Sequence, residues 1–262
     1  MTGVVRRSLD GGVARITLNR PERGNAISME LATEFRRAVR EVLRDADGGD
    51  VRVVLLTGAG GAFCVGGDLA GFAAAEDRSE HIAELARVMH EAIAALVEAP
   101  VPVISGVHGA VAGAGVGLAL LADLVVAASG TRFRTAYTGV GLSPDCGVSW
   151  VLGRTLGHAI ALDLALTNRT LDAEEAERRG LVSRVVPPEE LEGTLNALAG
   201  ALASGPPAAL AATKRLTRAA GGSGLVPHLA DEAAAIAELA AGPEAGEGIR
   251  AFLEKRSPRY RA

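Results

Sequence analysis

Residues 101–117, VPVISGVHGAVAGAGVG, decide the fold of this chain, because an apolar run passes through a glycine-rich loop into a helix of small residues. The run 101–107 is apolar enough for a strand that is buried on both faces, as in parallel sheets. In the loop, Gly113, Gly115 and Gly117 lack a Cβ, so backbone N–H groups can approach a ligand. The N-terminus of the following helix would favour a developing oxyanion. Close helix packing is the alternative role for these small residues.

A second glycine-rich loop, GGAFCVGGDL at residues 60–69, lies earlier in the chain and also follows an apolar run, at 51–57. By itself this loop is compatible with an ordinary turn in which Asp68 caps a helix. Two strand–loop–helix segments in one chain indicate a ligand site more specifically than either segment alone. The glycine spacing of the second loop does not match the dinucleotide-binding pattern. The pair of loops is therefore the strongest functional signal in the sequence.

Strand and helix patterns alternate along the first half of the chain. A hairpin is predicted around the turn at 10–12, and Ser28 is placed to cap a helix. A second helix repeats apolar residues at the helical period from Ile82 to Met89. This alternation predicts βαβ units with a parallel sheet, and therefore an α/β fold. After about Gly147, helical patterns dominate.

The composition excludes several classes of protein. The 262 residues are 48% hydrophobic and carry a net charge of -4, which allows one large domain or one domain with a helical appendage. This charge gives no electrostatic case for nucleic-acid binding, and no apolar run is long and pure enough to span a bilayer. Residues 1–7 are strand-like rather than a signal peptide, and Cys64 and Cys146 have no disulfide-framework spacing. We therefore predict a cytoplasmic protein with reduced thiols.

The two glycine loops resemble the signature of the crotonase (enoyl-CoA hydratase/isomerase) superfamily, and the resemblance covers essentially the whole chain. Residues 19–21 with 25–26, and the C-terminal segment 251–256, match the same pattern. The resemblance implies a crotonase (ClpP-like) fold, in which repeated ββα units form a superhelix around a sheet. It also implies a spiral core domain at 1–200 and a C-terminal helical trimerisation region at 201–262.

The resemblance further implies an acyl-CoA substrate whose thioester oxygen accepts hydrogen bonds from two backbone N–H groups, which fall on Gly67 and Ala114. In a homotrimer or hexamer, Phe252 and Lys255 would reach the CoA of a neighbouring subunit. No metal is expected, and no cofactor beyond the CoA of the substrate itself. The remaining residues expected at the CoA or in the lining of its pocket are Arg23, Ala26, Ala62, Cys64, Asp68 and Leu69, and Cys146 is expected to line the same pocket.

The chain departs from a standard hydratase of this family at both catalytic glutamates, whose positions fall on Gly117 and Tyr137. Water addition needs one group to activate water and another to handle the α-proton, so two-glutamate hydratase chemistry is not expected. One carboxylate follows at Asp145, and residues 142–150 resemble the isomerase branch, with the 1,2-epoxyphenylacetyl-CoA isomerase pattern nearest. We therefore predict that Asp145 shuttles a proton during a double-bond shift or a ring isomerisation.

Other interpretations of these residues remain open. In the 4-chlorobenzoyl-CoA dehalogenase branch, a His at the position of His90 serves an Asp nucleophile that falls on Asp145, with an aromatic residue at Tyr137. The low aromatic content of 3% counts against an aryl-binding pocket. Asp145 would alternatively cap a helix near Gly147, His90 would be structural, and Tyr137 would close the acyl pocket. A hydratase-like protein without the two glutamates and a non-catalytic CoA-binding protein are further alternatives.

Overall fold

The computed structural model describes residues 3–260. Met1, Thr2, Arg261 and Ala262 belong to the predicted 1–200 and 201–262 regions and lie outside the described residues. Within the described range, no helix combines the length and the apolar character needed to cross a bilayer.

The main sheet of the described chain has six strands, and all but the first run parallel. The antiparallel pair at its edge is the predicted hairpin, closed by Gly11 and Gly12 with positive φ. The apolar runs predicted at 51–57 and 101–107 form strands that begin two residues later than predicted. In order across the sheet the strands are β1 (Val5–Asp10), β2 (Val13–Leu18), β3 (Val53–Gly58), β4 (Val103–Val107), β6 (Leu124–Ala128) and β9 (Arg184–Val186).

Helices cover both faces of this sheet. On one face, α1 (Met29–Asp47) and α3 (Arg78–Glu98) pack against each other over alternate strand residues such as Ile16, which is fully buried. The side chain of Ser28 caps α1 by accepting the Leu31 N–H, as predicted. On the other face, α8 (Leu191–Ala203) forms a second apolar cluster with β3, β4 and β6. These two layers bury the sheet on both sides, which explains its continuous apolar strands.

A smaller three-stranded sheet stands beside the second glycine loop, and its first strand was not expected from the sequence. It consists of β5 (Ala110–Ala112), β7 (Arg132–Arg134) and β8 (Leu171–Asp172). The loop was predicted to run directly into a helix, but β5 pairs with β7 before α4 (Ala114–Leu120) begins. A parallel bridge between Cys64 and Val111 also joins the first glycine loop to β5. Backbone pairing therefore fixes both loops relative to each other.

The remaining helices are numbered in chain order, and the last three form the C-terminal helical part. Whether they make a separate trimerisation region stays a prediction. Their bounds are α2 (Leu69–Ala74), α5 (Val148–Leu156), α6 (His158–Thr167), α7 (Ala173–Arg178), α9 (Pro207–Ala219), α10 (Leu225–Ala241) and α11 (Pro243–Leu253), and single 3-10 turns lie at Pro21–Arg23, Thr138–Val140 and Pro188–Glu190.

One ionic cluster ties α9 to the core. The Lys214 ammonium lies 2.9 Å from Asp123 and donates to the carbonyl oxygens of Leu96 and Val101. Arg218 also pairs with Asp123, whose carboxylate in addition accepts the N–H that begins β4. Burial lowers the pKa of Lys214, and the charge of Asp123 opposes this shift. The cluster therefore depends on the Asp123 charge.

We expect Asp123→Asn to lower the free energy of unfolding by about 3 kcal/mol, since it leaves a buried ammonium without its counter-charge. Urea unfolding at one fixed protein concentration measures this change. The matched control is Asp231→Asn, which removes an exposed carboxylate on α10 and should change stability by less than about 0.5 kcal/mol. Equal effects from the two variants would show that the cluster does not hold α9.

Candidate active site

A pocket of about 340 Å³ lies where the two glycine loops meet. The loops contribute Gly66, Gly67, Gly113 and Ala114 to its wall. Its other walls are mostly apolar, as a pocket for an acyl chain requires. They are formed by Ile27, Val65, Leu69, Phe72, Ile82, Ala83, Leu85, Ala86, Met89, Ala136, Tyr137, Val140, Leu142, Ser143, Asp145 and Cys146.

The N–H of Gly67 is turned away from the protein backbone that pairs with this loop. Ile27 donates to Gly66 O at 2.8 Å, and Asp68 donates to Ile27 O at 3.0 Å. Gly67 lies between these two bonded residues, and because backbone groups alternate in direction along extended chain, its N–H faces the other way. A Cβ at Gly67 would lie 2.5 Å from the ring of Phe72, so a larger residue there would require that ring to move.

The N–H of Ala114 comes from the second loop, close to the first. Ala114 is the first residue of α4, and the first N–H groups of a helix have no partner within the helix. The loops touch just before these two residues, since a Cβ built on Gly66 would lie 3.3 Å from Gly113 Cα. Both residues therefore line one pocket.

The side chain of Asn25 fixes the conformation of the first glycine loop. It is fully buried, has a φ of 58°, and its amide Nδ2 donates to the carbonyl oxygens of Ala59, Ala62 and Phe63. Its Oδ1 accepts the Arg20 N–H at 2.8 Å. One side chain thus replaces the hydrogen bonds that the irregular loop cannot make within itself. Asn25 was noticed only as part of a sequence match, although it organises the site.

Asp145 and Tyr137 form a hydrogen-bonded pair in the pocket wall. The Tyr137 hydroxyl donates to Asp145 Oδ1 at 2.6 Å. Burial, together with the neighbouring negative charge of Asp145, raises the pKa of Tyr137 well above its usual range, so the hydroxyl keeps its proton. Asp145 does not cap a helix, because α5 begins after Gly147 without a side-chain cap. Its carboxylate is instead oriented by Tyr137 beside the pocket.

His90 lies on α3 next to this pair. Its Nε2 accepts the backbone N–H of Cys146 at 3.0 Å. This geometry assigns a neutral ring with its proton on Nδ1, since an acceptor nitrogen carries no hydrogen. His90 is therefore hydrogen-bonded to the loop that carries Asp145, and it is not among the residues that line the pocket.

The side chains of His90, Asp145 and Cys146 place possible ligand atoms within 4.8 Å of one another. The donor set nevertheless suits a metal ion poorly. The Nε2 lone pair already accepts the Cys146 N–H, and burial, followed by the charge of Asp145, raises the pKa of the Cys146 thiol. A protonated thiol is a weak ligand, because the thiolate is the form that binds metals. We continue to predict no metal here.

The structure distributes the predicted residues unevenly. Gly67, Leu69, Ala114, Tyr137 and Asp145 meet in the pocket. The predicted site residues that do not line it are Arg23, Ala26, Ala62, Cys64, Asp68, His90, Phe252 and Lys255. Of these, Arg23 and Lys255 are exposed, and the Phe252 side chain is 84% exposed on α11, so their roles toward CoA stay predictions.

The prediction for Cys64 needs correction, and that for Asp68 stays a prediction. Cys64 was expected to line the pocket, but it is fully buried and its thiol contacts Asn25 O at 3.3 Å. Burial raises the pKa of Cys64 to about 12, so this thiol is inert packing, whereas Cys146, which was expected to line the pocket too, does line it. The Asp68 carboxylate caps α2 and pairs with Arg20 at 3.1 Å, so any contact with a ligand would compete with these bonds.

Several pocket residues were interpreted only as core. The apolar stripe on α3 was expected to pack inward, and its members Ile82, Leu85 and Met89 continue from the core into the pocket wall. Phe72 on α2 closes the pocket beside Gly67. A helical period shows which residues share a face, and it does not show whether that face meets protein or an open pocket.

Comparisons with known proteins agree with this geometry. The profile described as enoyl-CoA hydratase/isomerase matches residues 8–262. A protein of Rhodobacter capsulatus named probable enoyl-CoA hydratase is 41% identical over 98% of this chain and 97% of its own length. The 1,2-epoxyphenylacetyl-CoA isomerase of Escherichia coli K12 is 36% identical over 96% of each chain. The crystal structure of an enoyl-CoA hydratase from Polaromonas sp. JS666 superposes with a TM-score of 0.93 at 36% identity, covering 99% of this chain and 100% of its own.

Proposed function

Since the chain belongs to the enoyl-CoA hydratase/isomerase family, we propose that it is the isomerase type of enzyme, shifting a double bond or isomerising a ring in an acyl-CoA. The observation that carries the proposal is one carboxylate, Asp145, held by Tyr137 in the wall of a pocket that two loop amides border. No glutamate stands at position 117 or 137 to support water addition. The similarity to a 1,2-epoxyphenylacetyl-CoA isomerase supports the same choice.

The chemistry follows from the positions of these groups. The thioester oxygen would accept hydrogen bonds from the N–H groups of Gly67 and Ala114, which stabilise the enolate formed when a proton leaves C2. Each such donor contributes roughly 3–4 kcal/mol in acyl-transfer enzymes. The Asp145 carboxylate would take the C2 proton of a 3-enoyl-CoA and return it to C4, giving the 2-enoyl-CoA without net gain or loss of atoms.

We test the reaction type by the product formed from a 3-enoyl-CoA. Purified protein should convert it to the conjugated 2-enoyl-CoA, and a substrate deuterated at C2 should give a product that carries deuterium at C4. A 2-enoyl-CoA supplied as substrate should yield little 3-hydroxyacyl-CoA. Mass spectrometry of the acyl-CoA pool separates these products. Rapid formation of the hydroxyacyl product would reject the isomerase proposal in favour of a hydratase that lacks the two glutamates.

Hydrolytic dehalogenation of an aryl-CoA is a second candidate, because His90, Asp145 and Tyr137 do come together. In that reaction Asp145 would attack the ring and His90 would activate water. The Nε2 lone pair of His90 already accepts the Cys146 N–H, which leaves no free acceptor on a neutral ring. This bond counts against the candidate. An ester on Asp145, seen by mass spectrometry in single turnover with an aryl-CoA halide, would support it instead.

The proposal also includes an oligomeric state and a location: a homotrimer or a hexamer in the cytoplasm. Each chain would have a spiral core at 1–200 and a trimerisation region at 201–262. The apolar side chains of Ile249, Phe252 and Leu253 on α11 are mostly exposed in the single chain. Contact with another copy would bury them and bring Phe252 and Lys255 toward the neighbouring site. The two free, buried thiols support the location. The substrate supplies its own CoA, so no separate cofactor is proposed.

A further inference from the structure

The turn that carries Asp145 is strained, and the N–H at its strained position bonds to a residue outside the turn. Asp145 O accepts the Val148 N–H at 3.0 Å, and the two residues between them, Cys146 and Gly147, have φ of 49° and 77°. Positive φ at both central positions is the signature of a type I′ turn, for which Asn-Gly is the preferred pair. Cysteine is strained in the left-handed region and stays there only when its surroundings enforce it.

The outside bond comes from His90. The Cys146 N–H points out of the turn and donates to His90 Nε2, while the Tyr137 hydroxyl donates to the Asp145 carboxylate. The neighbours of His90 on α3, Met89 and Ala86, line the pocket, so the helix that supplies the acceptor is also a wall of the site. His90 therefore holds the backbone N–H of residue 146, whereas the Tyr137 hydroxyl bonds to Asp145, at 2.6 Å from its carboxylate and 3.4 Å from its carbonyl oxygen.

We propose that His90 is a positioning residue, whose neutral Nε2 accepts the Cys146 N–H and so keeps the strained turn in the conformation that points Asp145 into the pocket. In this role His90 transfers no proton. The expected effect of His90 on kcat rests on the isomerase function proposed above. Its expected effect on the structure, which is to protect the Cys146 amide from hydrogen exchange, does not rest on that function.

Three substitutions separate the possible roles of His90. Gln places an acceptor, Oε1, near the position of Nε2 but transfers no proton, and Met has similar length with no acceptor. We expect His90→Met to lower kcat about tenfold, the value of one lost hydrogen bond, with KM changed less than about twofold. His90→Gln should recover most of this loss. The matched control, His158→Gln at the exposed start of α6, should leave kcat unchanged.

Hydrogen exchange gives a readout that needs no substrate. In His90→Met the Cys146 amide should exchange at least about tenfold faster than in the wild-type protein, and in His90→Gln it should stay protected. Equal loss of activity in the Gln and Met variants would overturn the proposal and identify His90 as a proton carrier. Wild-type kinetics and exchange in both variants would overturn it by showing that His90 has no role. If the wild-type protein does not isomerise a 3-enoyl-CoA, the proposed function fails, whereas the exchange result still decides the structural role of His90.

Discussion

Replacing Asp145 by asparagine is expected to lower the kcat for isomerisation of a 3-enoyl-CoA by about 10³-fold, within the 10²–10⁴ range of general acid–base catalysis. The asparagine side chain would still accept the Tyr137 hydroxyl through its Oδ1, so the turn and the pocket should keep their shape. An amide cannot take and return a proton under these conditions. The variant therefore removes the proposed chemistry with little change in structure, and steady-state kinetics with the purified protein measures the loss.

Two further variants control this experiment. Tyr137→Phe removes only the hydroxyl that orients the carboxylate, and we expect a fall in kcat of about tenfold, the value of one hydrogen bond to a charged group. Asp10→Asn changes an exposed carboxylate at the β1–β2 turn and should leave kcat as it is. Turnover by Asp145→Asn at the wild-type rate would remove Asp145 from the mechanism.

Replacing Gly117 by alanine is expected to displace the Asp145 turn and lower kcat by about 10²-fold. A Cβ built on Gly117 lies 2.0 Å from the carbonyl oxygen of Cys146, a contact that only a backbone shift relieves. Alanine in place of glycine normally stabilises a helix by about 1 kcal/mol, but overpacking against a fixed backbone costs about 1–3 kcal/mol. The clash is expected to win, and a shift of about 1 Å in a catalytic group is enough for a loss of this size.

The matched control for Gly117→Ala is Gly153→Ala, on α5, where no heavy atom lies within 4 Å of the new Cβ. This second change should leave kcat unaltered and raise the thermal midpoint slightly, because alanine restricts the unfolded chain. Comparable activity in both variants would show that the turn tolerates a side chain at position 117.

The contact at Gly117 also explains why the two catalytic arrangements exclude each other. A glutamate at position 117 would occupy the space that the Cys146 carbonyl fills, so it could not coexist with the present Asp145 turn. Restoring the hydratase glutamates at 117 and 137 would accordingly have to move the turn and remove the Tyr137 hydroxyl that orients Asp145. In the structure, position 117 packs so closely against the Cys146 backbone that a side chain there would require the turn to move.

Strained backbone is concentrated around the site. Among the described residues, non-glycine positions with positive φ are Asn25, Ala136, Cys146, Asn168 and Lys255. Three of them are chain neighbours of predicted site residues: Asn25 precedes Ala26, Ala136 precedes Tyr137, and Cys146 follows Asp145. A fourth, Lys255, is itself predicted to contact CoA. Such strain persists only where surrounding contacts enforce it. At Cys146 the contact is the hydrogen bond to His90, and at Asn25 it is the set of three carbonyl oxygens that accept from the side-chain amide.

The sequence by itself determined the elements and the choice of loops. Continuous apolar runs, helical periods and capping residues such as Ser28 are local signals, and they predicted the parallel sheet, its covering helices and the two glycine loops. The absence of glutamate at Gly117 and Tyr137, and the single acid at Asp145, also followed from the sequence once its resemblance to the crotonase superfamily was recognised.

Only the tertiary structure decided which side chains share the site. Cys64 and Cys146 look alike in sequence, yet one is sealed in the core and the other borders the pocket. The bond from Cys146 to His90 joins residues 56 positions apart, and the strand β5 exists because β7 pairs with it. Long-range pairing and close contact depend on how elements meet in space, and no local periodicity encodes that arrangement.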